Sequence, residues 1–136
     1  MREIKFRGKP IEDYGKITWF YGSAILDYED KLAYILVSGQ GVVPVEWESV
    51  GQYTEVHDDK EDNEVYDGDI VEITHEGRLL RCYVKYEGSG FMLVSDELED
   101  GYIWMSDLIE CDRSYFWMPD SIVIGNIYEN PEVLEV

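Results

Sequence analysis

Apolar and polar residues alternate with a period of two along much of this chain, and this alternation constrains the fold more than any other feature. Within residues 2–7, Ile4 and Phe6 lie on one side and charged residues lie on the other. Such a period is typical of half-buried β-strands. Residues 2–7 are therefore predicted to form a strand, and we expect the protein to be mainly β.

The best-defined stretch of strands lies between Tyr66 and Ser95. Two short turns, Glu76-Gly77 and Glu87–Gly90, divide it into three closely spaced strands. A meander of this kind usually curls into a small barrel, so we expect an SH3-like barrel in the C-terminal part. A short helix near Tyr102–Ile109 and a final strand at Ser121–Tyr128 would complete it.

The predicted organisation is one compact unit with three parts, because a length of 136 residues fits a single domain. A β-rich N-terminal part covers residues 1–54, and an acidic connecting loop covers residues 55–65. The barrel-like C-terminal part covers residues 66–136 and packs with the N-terminal half. We expect at most one or two short helices in the whole chain.

The segment Lys31–Ser38 differs from the other predicted strands because it is apolar on both faces. Leu32, Tyr34 and Leu36 lie on one face, and the residues between them, also apolar, lie on the other. A strand of this kind is covered on both faces, by a second sheet or by another subunit. We therefore predict self-association through Leu32, Tyr34 and Leu36. Further along the chain, Pro44 lacks an N–H group and indicates an edge strand or a bulge.

The net charge of the chain is −19 at pH 7, from thirty acids and eleven bases. A field of this sign repels phosphate backbones, so we expect no direct binding to nucleic acid. Five of the eleven bases lie in the first sixteen residues, beside only three of the acids. This basic arm, which includes Arg2, Lys5 and Arg7, is suited to docking on the chain's own body or on a neighbouring subunit.

The densest polar segment is Glu55–Asp69, with eight acids and one lysine. A calcium-binding loop has a glycine at its sixth position and a glutamate at its twelfth. Counted from Asp59, these positions hold Glu64 and Ile70, so the pattern fails. A solvated connector is the preferred interpretation, and binding of a divalent ion is the alternative. On the preferred interpretation, folding should tolerate replacement of Asp58, Asp59, Glu61 and Asp62.

Motifs for catalysis and for cofactor binding are missing from the sequence. His57 and His75 belong to no zinc-binding spacing, and Cys82 lies on an inward strand face as a small core residue. We therefore expect no enzymatic activity, no cofactor and no metal. Cys82 and Cys111 form no CxxC pair and indicate a reducing cytoplasm. No apolar run approaches the ~20 residues that span a bilayer, so no membrane partner is expected.

Aromatic residues are abundant and clustered in this chain. Side chains of these types are enriched in cores and in subunit interfaces, which is the preferred interpretation. A sugar-binding surface is the alternative, because aromatic rings stack on sugars and carboxylates accept hydroxyl protons. The clusters are Trp19–Tyr21, Trp47, Trp104 and Tyr115–Met118.

Three ordered segments of the sequence resemble a known family. They are Met1-Arg-Glu-Ile-Lys-Phe-Arg-Gly-Lys9, the run from Val50-Gly-Gln-Tyr-Thr54 to Tyr66-Asp-Gly-Asp-Ile-Val71, and Val123-Ile-Gly-Asn-Ile-Tyr-Glu-Asn-Pro131. In this order they resemble the YopX family of bacteriophage and prophage proteins over nearly the whole chain. The resemblance implies a fold and a phage or prophage source, and it implies no reaction.

The same segments contain residues that we interpret as a structural motif. Gly68 is expected to have a positive φ. Asp69 is expected to accept backbone hydrogen bonds in this turn, and Asp67 is a second candidate acceptor. A glycine inside the last predicted strand indicates a bulge or a close backbone approach. The motif residues are Gly51, Gln52, Tyr53, Thr54, Tyr66, Gly68, Asp69, Gly125 and Asn126.

The chain departs from the pattern of the family at two places. Family members tend to have a glycine in the turn of the acidic segment, and here Asp62 or Asn63 must adopt the tight conformation. Members also tend to continue the Gly-Gln-Tyr-Thr motif with Gly-Leu, where this chain has Glu55-Val56. Both departures concern the shape of the acidic segment.

These observations predict a non-enzymatic, cytoplasmic phage or prophage protein that self-associates and acts through protein contacts. Its partners would be further copies of itself and, as a second option, a host protein. The alternative is an acidic DNA mimic that blocks a host DNA-binding protein or nuclease, which requires the acids to form a continuous stripe. Metal-dependent activity and carbohydrate binding are less favoured by the sequence.

Overall fold

The computed structural model describes residues 3–134 and divides the chain into two compact units, Met1–Tyr53 and Thr54–Val136. Strands predominate, which confirms the predicted mainly β fold. Within the described residues, helical structure is limited to short 3₁₀ helices, and no helix there is long and apolar enough to cross a membrane. The 3₁₀ helices are Trp47–Ser49, Met105–Asp107 and Pro131–Leu134.

The first unit is an antiparallel sheet in the strand order β5-β1-β2-β3-β4. Strand β5 begins in this unit and ends in the second. The predicted strand at residues 2–7 is observed as a shorter β1, and residue 2 lies outside the described part. The strands are β1 (Phe6–Gly8), β2 (Phe20–Asp27), β3 (Leu32–Val37), β4 (Gly41–Val45) and β5 (Gly51–Asp58).

Alternation along β3 and β4 buries one face of this sheet. Ile35 and Val43 are register partners, and both are almost fully buried. They pack with partly buried neighbours that include Phe6 and Trp47. Strand β4 ends the sheet, which confirms the edge position predicted from Pro44. The buried residues of this core are Phe20, Ala33, Ile35, Val43 and Val45.

The second unit begins within β5 and contains two sheets. The meander predicted between Tyr66 and Ser95 is confirmed, with Glu76 and Gly77 at φ 52° and 78° in its tight turn. The strands are β6 (Glu64–Tyr66), β7 (Asp69–His75), β8 (Arg78–Glu87), β9 (Gly90–Val94), β10 (Tyr102–Trp104), β11 (Glu110–Asp112), β12 (Tyr115–Met118) and β13 (Ser121–Asn126).

The core of the second unit unites residues from both of its sheets. One sheet has the order β10-β9-β8-β7-β13, and in the other the end of β5 pairs with β6 and lies parallel to β12, which pairs with β11. Alternate residues of β7 and β8 point into this core, including Cys82 as predicted. The buried residues are Val56, Val65, Val71, Ile73, Leu80, Cys82, Val84, Leu93, Met105 and Met118.

The expected SH3-like barrel is replaced by an open five-stranded sheet with β10 and β13 as its edges. The outer edge of β13 is occupied by the acidic segment, because the Val123 N–H group donates to Asp58 Oδ2 and the Asp59 N–H group donates to the Ser121 carbonyl. The helix predicted near Tyr102–Ile109 is reduced to the 3₁₀ helix Met105–Asp107. The first residues of the predicted segment pair with β9 as β10, and the 3₁₀ helix follows them.

The connecting loop predicted at residues 55–65 is replaced by regular structure. Residues 55–58 complete β5, and residues 64–65 begin β6, which pairs with β5. A short turn joins the two strands, and Asp62 takes φ 57° there, as the missing glycine required. Backbone pairing of these strands therefore overrides the charge density that suggested a solvated connector.

Candidate interaction surface

The outer face of β2, β3 and β4 is the most prominent apolar surface of the first unit. Register pairing places Ile25 beside Tyr34 and Leu36 beside Val42 on this face. Ile25, Leu36 and Val42 are 52%, 50% and 53% exposed, and Leu32 is 44% exposed. We call this surface the apolar face; its residues are Ile25, Leu32, Tyr34, Leu36, Val42 and Pro44.

Sequence reasoning identified only the central strand of this face. Leu32, Tyr34 and Leu36 were predicted from the two-sided apolar pattern of β3, and they point outward as a row. Ile25 and Val42 were missed because the register of the neighbouring strands decides which of their residues join that row. Ser23 and Asp27 are polar and lie two positions before and after Ile25. Their spacing could have indicated that Ile25 lies on the outer face of β2.

The two ends of the apolar face differ in charge. At one end, the β2–β3 hairpin (residues 27–31) carries Asp27, Glu29, Asp30 and a single cation, Lys31. At the other end, the β3–β4 turn (residues 38–40) consists of uncharged Ser, Gly and Gln. The Asp27 carboxylate turns into its own hairpin and accepts the N–H groups at residues 29 and 30. The face therefore has an acidic end and an uncharged end.

The basic arm is folded into the first unit. Arg7 is 9% exposed in β1, with its guanidinium 4.9 Å from the centre of the Trp19 ring. The Lys5 ammonium lies 4.8 Å from the centre of the Tyr53 ring and 3.9 Å from Glu3. Arg2 lies outside the described residues. Lys5 and Arg7 therefore contact residues of the chain's own first unit.

Asp58 is extensively hydrogen-bonded within the acidic segment. Its side chain is buried at 1% exposure and accepts four hydrogen bonds. Oδ1 accepts the N–H groups of Glu61 (3.2 Å) and Asn63 (2.9 Å). Oδ2 accepts the Asn63 side-chain amide and the Val123 N–H, both at 2.9 Å. Sequence reasoning took this residue as replaceable, whereas its carboxylate joins the β5–β6 turn to β13.

The residues of the structural motif are divided between the two units. In the first unit, Gly51 and Gln52 pair with β1, and the Tyr53 N–H group donates to the Lys5 carbonyl. In the second unit, Thr54 Oγ1 donates to the Val65 carbonyl and links β5 to β6. These contacts lie inside each unit, and Gly51, Tyr53 and Thr54 are buried.

The turn at Tyr66–Asp69 has the geometry expected from the sequence. Gly68 has φ 93°, and Asp69 Oδ2 accepts the Tyr66 N–H group at 2.7 Å. The Gly68 N–H group donates to the Val84 carbonyl, and its own carbonyl accepts the N–H group of Ile127. This turn therefore connects β8 with the chain that leaves β13.

Gly125 and Asn126 lie at the irregular end of β13. The register with β7 shifts between Val123 and Gly125, which confirms the predicted bulge. A side chain at Gly125 would meet the Asn130 side chain at 2.9 Å, so the group that approaches this glycine is a side chain and not a backbone. Asn126 pairs with Asp69, and its Oδ1 accepts the Glu129 N–H group. The structure thus brings the Tyr66–Asp69 part of the motif next to the Gly125–Asn126 part, and their contacts hold β7 and β13 together.

The aromatic residues of the second unit stack mainly on each other. Tyr115 stacks with His57 and with Trp117, with ring centres 4.8 Å and 5.8 Å away and interplanar angles of 24° and 28°. Its hydroxyl donates to Asp62, and this hydrogen bond raises the pKa of Tyr115 to about 12. The Tyr115 ring therefore stacks on two neighbouring rings and remains 42% exposed.

A groove of about 630 Å³ lies on the outer face of the larger sheet of the second unit. Its cationic side chain, Arg81, lies 3.4 Å from Glu72 and donates to the Val133 carbonyl at 3.0 Å. Asp96 and Glu97 line the rim. Within residues 3–134, no three His, Cys, Asp or Glu side chains are grouped to hold a metal ion. The lining of the groove thus combines the Arg81–Glu72 ion pair with two further acids.

The two cysteines have different environments. Cys82 is fully buried, and burial is the main cause that raises the pKa of its thiol to about 11. Cys111 is exposed in β11, and both thiols are free. A thiol with a raised pKa is a poor nucleophile, so Cys82 has the properties of a core residue.

Fold and surface together define a mainly β protein of two units whose most distinctive exposed feature is an apolar sheet face. The comparison with protein families then identifies it further. The YopX protein family matches residues 6–135, so the chain belongs to the YopX family. A comparison with curated proteins finds no match.

Proposed function

We propose that this chain is a non-enzymatic phage or prophage protein that self-associates and acts through protein contacts. Membership of the YopX family supports the source. The apolar face is the single observation that carries the proposal of self-association. Four of its aliphatic side chains are at least 44% exposed, and they lie on three adjacent strands. Contiguous apolar surface of this kind marks interaction sites, whereas scattered apolar residues do not.

The net charge of −19 opposes contact between two copies over most of the surface. Acidic residues give the rest of the chain a strong negative charge, and a cationic partner would be attracted to them. The apolar face carries no charged side chain between its two ends, so two copies can approach there with the least repulsion. Contact between two copies also buries the apolar face of each copy.

The size of the face sets the strength of the contact. Three strands spaced by ~4.8 Å and six residues rising ~3.3 Å each cover roughly 200 Å² of flat surface. A standard stable interface buries about 800 Å² of accessible surface per partner. The apolar face is therefore much smaller than a standard stable interface, and self-association through it would be weak and dependent on concentration.

Sedimentation velocity over increasing micromolar concentration tests this proposal. The parent protein should show a rising weight-average mass, and Leu36→Asp should abolish the rise. Leu79→Asp is the matched control, because Leu79 is also a strand leucine and is 63% exposed in β8, in the other unit. A parent that stays monomeric at all concentrations, or equal loss in both variants, would refute self-association through this face.

The DNA-mimic alternative loses support at the acidic segment. Asp58 and Asp69 are buried at 1% and 2% exposure, with their carboxylates bound to backbone N–H groups. Tyr66 donates its hydroxyl to Glu64. Carboxylates that replace phosphates must face solvent in a continuous stripe, and part of the densest acidic segment is instead used inside the second unit.

A further inference from the structure

We infer that the groove on the outer face of the larger sheet of the second unit binds a short basic peptide segment of a partner protein. The peptide places a Lys or Arg side chain at the acidic rim and an apolar side chain beside Leu79. The groove and the apolar face belong to different units, so peptide binding and self-association can be tested separately.

The groove has the size of a ligand site. Its volume of about 630 Å³ falls within the ~300–1,000 Å³ of ligand pockets. Leu79, Arg81 and Tyr83 line it from alternate positions of β8, and Val94 is the register partner of Tyr83. From Leu79 to Tyr83 the strand rises ~13 Å, which is the length of about four extended residues. A short peptide therefore fits along β8.

The lining of the groove attracts a cation. It contains three carboxylates, Glu72, Asp96 and Glu97, and a single guanidinium, that of Arg81. Glu72 lies 3.4 Å from Arg81, whereas Asp96 and Glu97 are exposed and have no ion-pair partner among residues 3–134. The carboxylates that remain unneutralised are therefore those of the rim. A positively charged side chain is the complementary group for them.

The rim is held in place by its own hydrogen bonds. Ser95 Oγ accepts the Glu97 N–H group at 3.2 Å, and the Ser95 carbonyl accepts the Leu98 N–H group at 3.2 Å. The Ser95 N–H group donates to the Gly101 carbonyl at 3.0 Å. The backbone that carries the two carboxylates is therefore ordered before a ligand arrives, which lowers the entropy lost on binding.

Arg81 favours a peptide over a simple cation. Its Nη1 donates to the Val133 carbonyl at 3.0 Å, and Leu134 lines the same groove. The chain's own C-terminal 3₁₀ helix thus places a main-chain carbonyl and an aliphatic side chain there. A guanidinium has five N–H donors, and a peptide brings further carbonyl acceptors to them. A polyamine brings no acceptor, and the rim repels an anion.

Retention of peptide pools on the immobilised protein, quantified by mass spectrometry, tests this binding. Every capped hexapeptide of the basic pool contains Lys or Arg together with Leu, Ile or Val, in random order. The acidic pool has Asp or Glu in place of the cations, and the neutral pool has Ser or Gln. At low salt the basic pool should be retained far more than the others. Equal retention of the three pools, or none of the basic pool, would overturn the inference.

Variants of the rim locate the site. Asp96→Asn combined with Glu97→Gln should lower retention of the basic pool about tenfold, because each exposed ion pair contributes a few-fold. Glu99→Gln combined with Asp100→Asn is the matched control, since it removes the same charge from the same turn outside the groove lining. Equal loss in both double variants would show that the pool binds the acidic surface in general, and would overturn the groove as its site.

Two further measurements separate the contributions. Spermine at equal charge should displace the basic pool poorly, and displacement as effective as that by the peptides themselves would overturn a peptide in favour of a cation alone. Leu79→Ser should lower retention, because it removes an apolar side chain from the lining. Loss of retention in the double rim variant without any loss in Leu79→Ser would overturn the apolar contact.

Failure of the groove is distinguishable from failure of self-association. Leu36→Asp lies in the other unit and should retain the basic pool as the parent does. A parent that is monomeric at all concentrations and still retains the pool would refute self-association and support the groove. A parent that associates and retains no pool would do the reverse.

Discussion

Replacement of Asp58 by asparagine should destabilise the protein, although the change removes one charge from a chain of net charge −19. The carboxylate accepts four hydrogen bonds and is 1% exposed. An amide has one oxygen that can accept hydrogen bonds and one NH₂ group that can only donate them. Rotation of the Asn63 amide would restore one contact, and the Val123 N–H group would remain without its acceptor.

The expected loss follows from these contacts. A hydrogen bond to a charged group contributes ~1.5–3 kcal/mol, and a buried donor left without a partner costs a similar amount. We expect Asp58→Asn to lower the free energy of unfolding by about 3 kcal/mol, measured by urea denaturation. The change should appear in the midpoint, with little change in the slope.

Glu61→Gln is the matched control for this prediction. It removes the same charge from the same turn, and the Glu61 side chain is exposed. The control should be neutral or slightly stabilising, because it only relieves repulsion between like charges. Equal stability of the two variants, within ~0.5 kcal/mol, would refute the assignment of Asp58 as a structural carboxylate.

Three further predictions concern packing, thiol reactivity and salt. Gly22→Ala should lower the free energy of unfolding by about 3 kcal/mol, because the added Cβ would lie 2.1 Å from the Leu36 carbonyl oxygen. Gly90→Ala is the control and should be tolerated, because its nearest contact would be at 3.5 Å. At pH 8 a thiol reagent should modify Cys111 quickly and Cys82 only after unfolding, because a pKa of about 11 leaves Cys82 protonated; rapid reaction of both would contradict its burial. Added salt should strengthen self-association, because it screens repulsion between two acidic copies. A lower weight-average mass at high salt would instead indicate that the basic arm docks between subunits.

The sequence by itself determined the features that depend on neighbouring residues. The turn at Glu76-Gly77, the positive φ of Gly68 and the inward position of Cys82 follow from turn chemistry and from the period of a strand. The two-sided apolar pattern of β3 likewise located Leu32 and Leu36. These signals are local because each depends on residues within one hairpin or one strand.

Tertiary structure decided the features that join distant segments. Asp58 is buried because its carboxylate meets the Val123 N–H group, 65 residues away in the chain, and no local pattern indicates that contact. The same contact occupies the edge of β13, where the second unit keeps an open sheet instead of the expected barrel. Strand register likewise placed Ile25 and Val42 beside β3 and made one apolar strand into an apolar face. Pairing partners and register depend on the summed energy of many distant contacts, which a single sequence does not display.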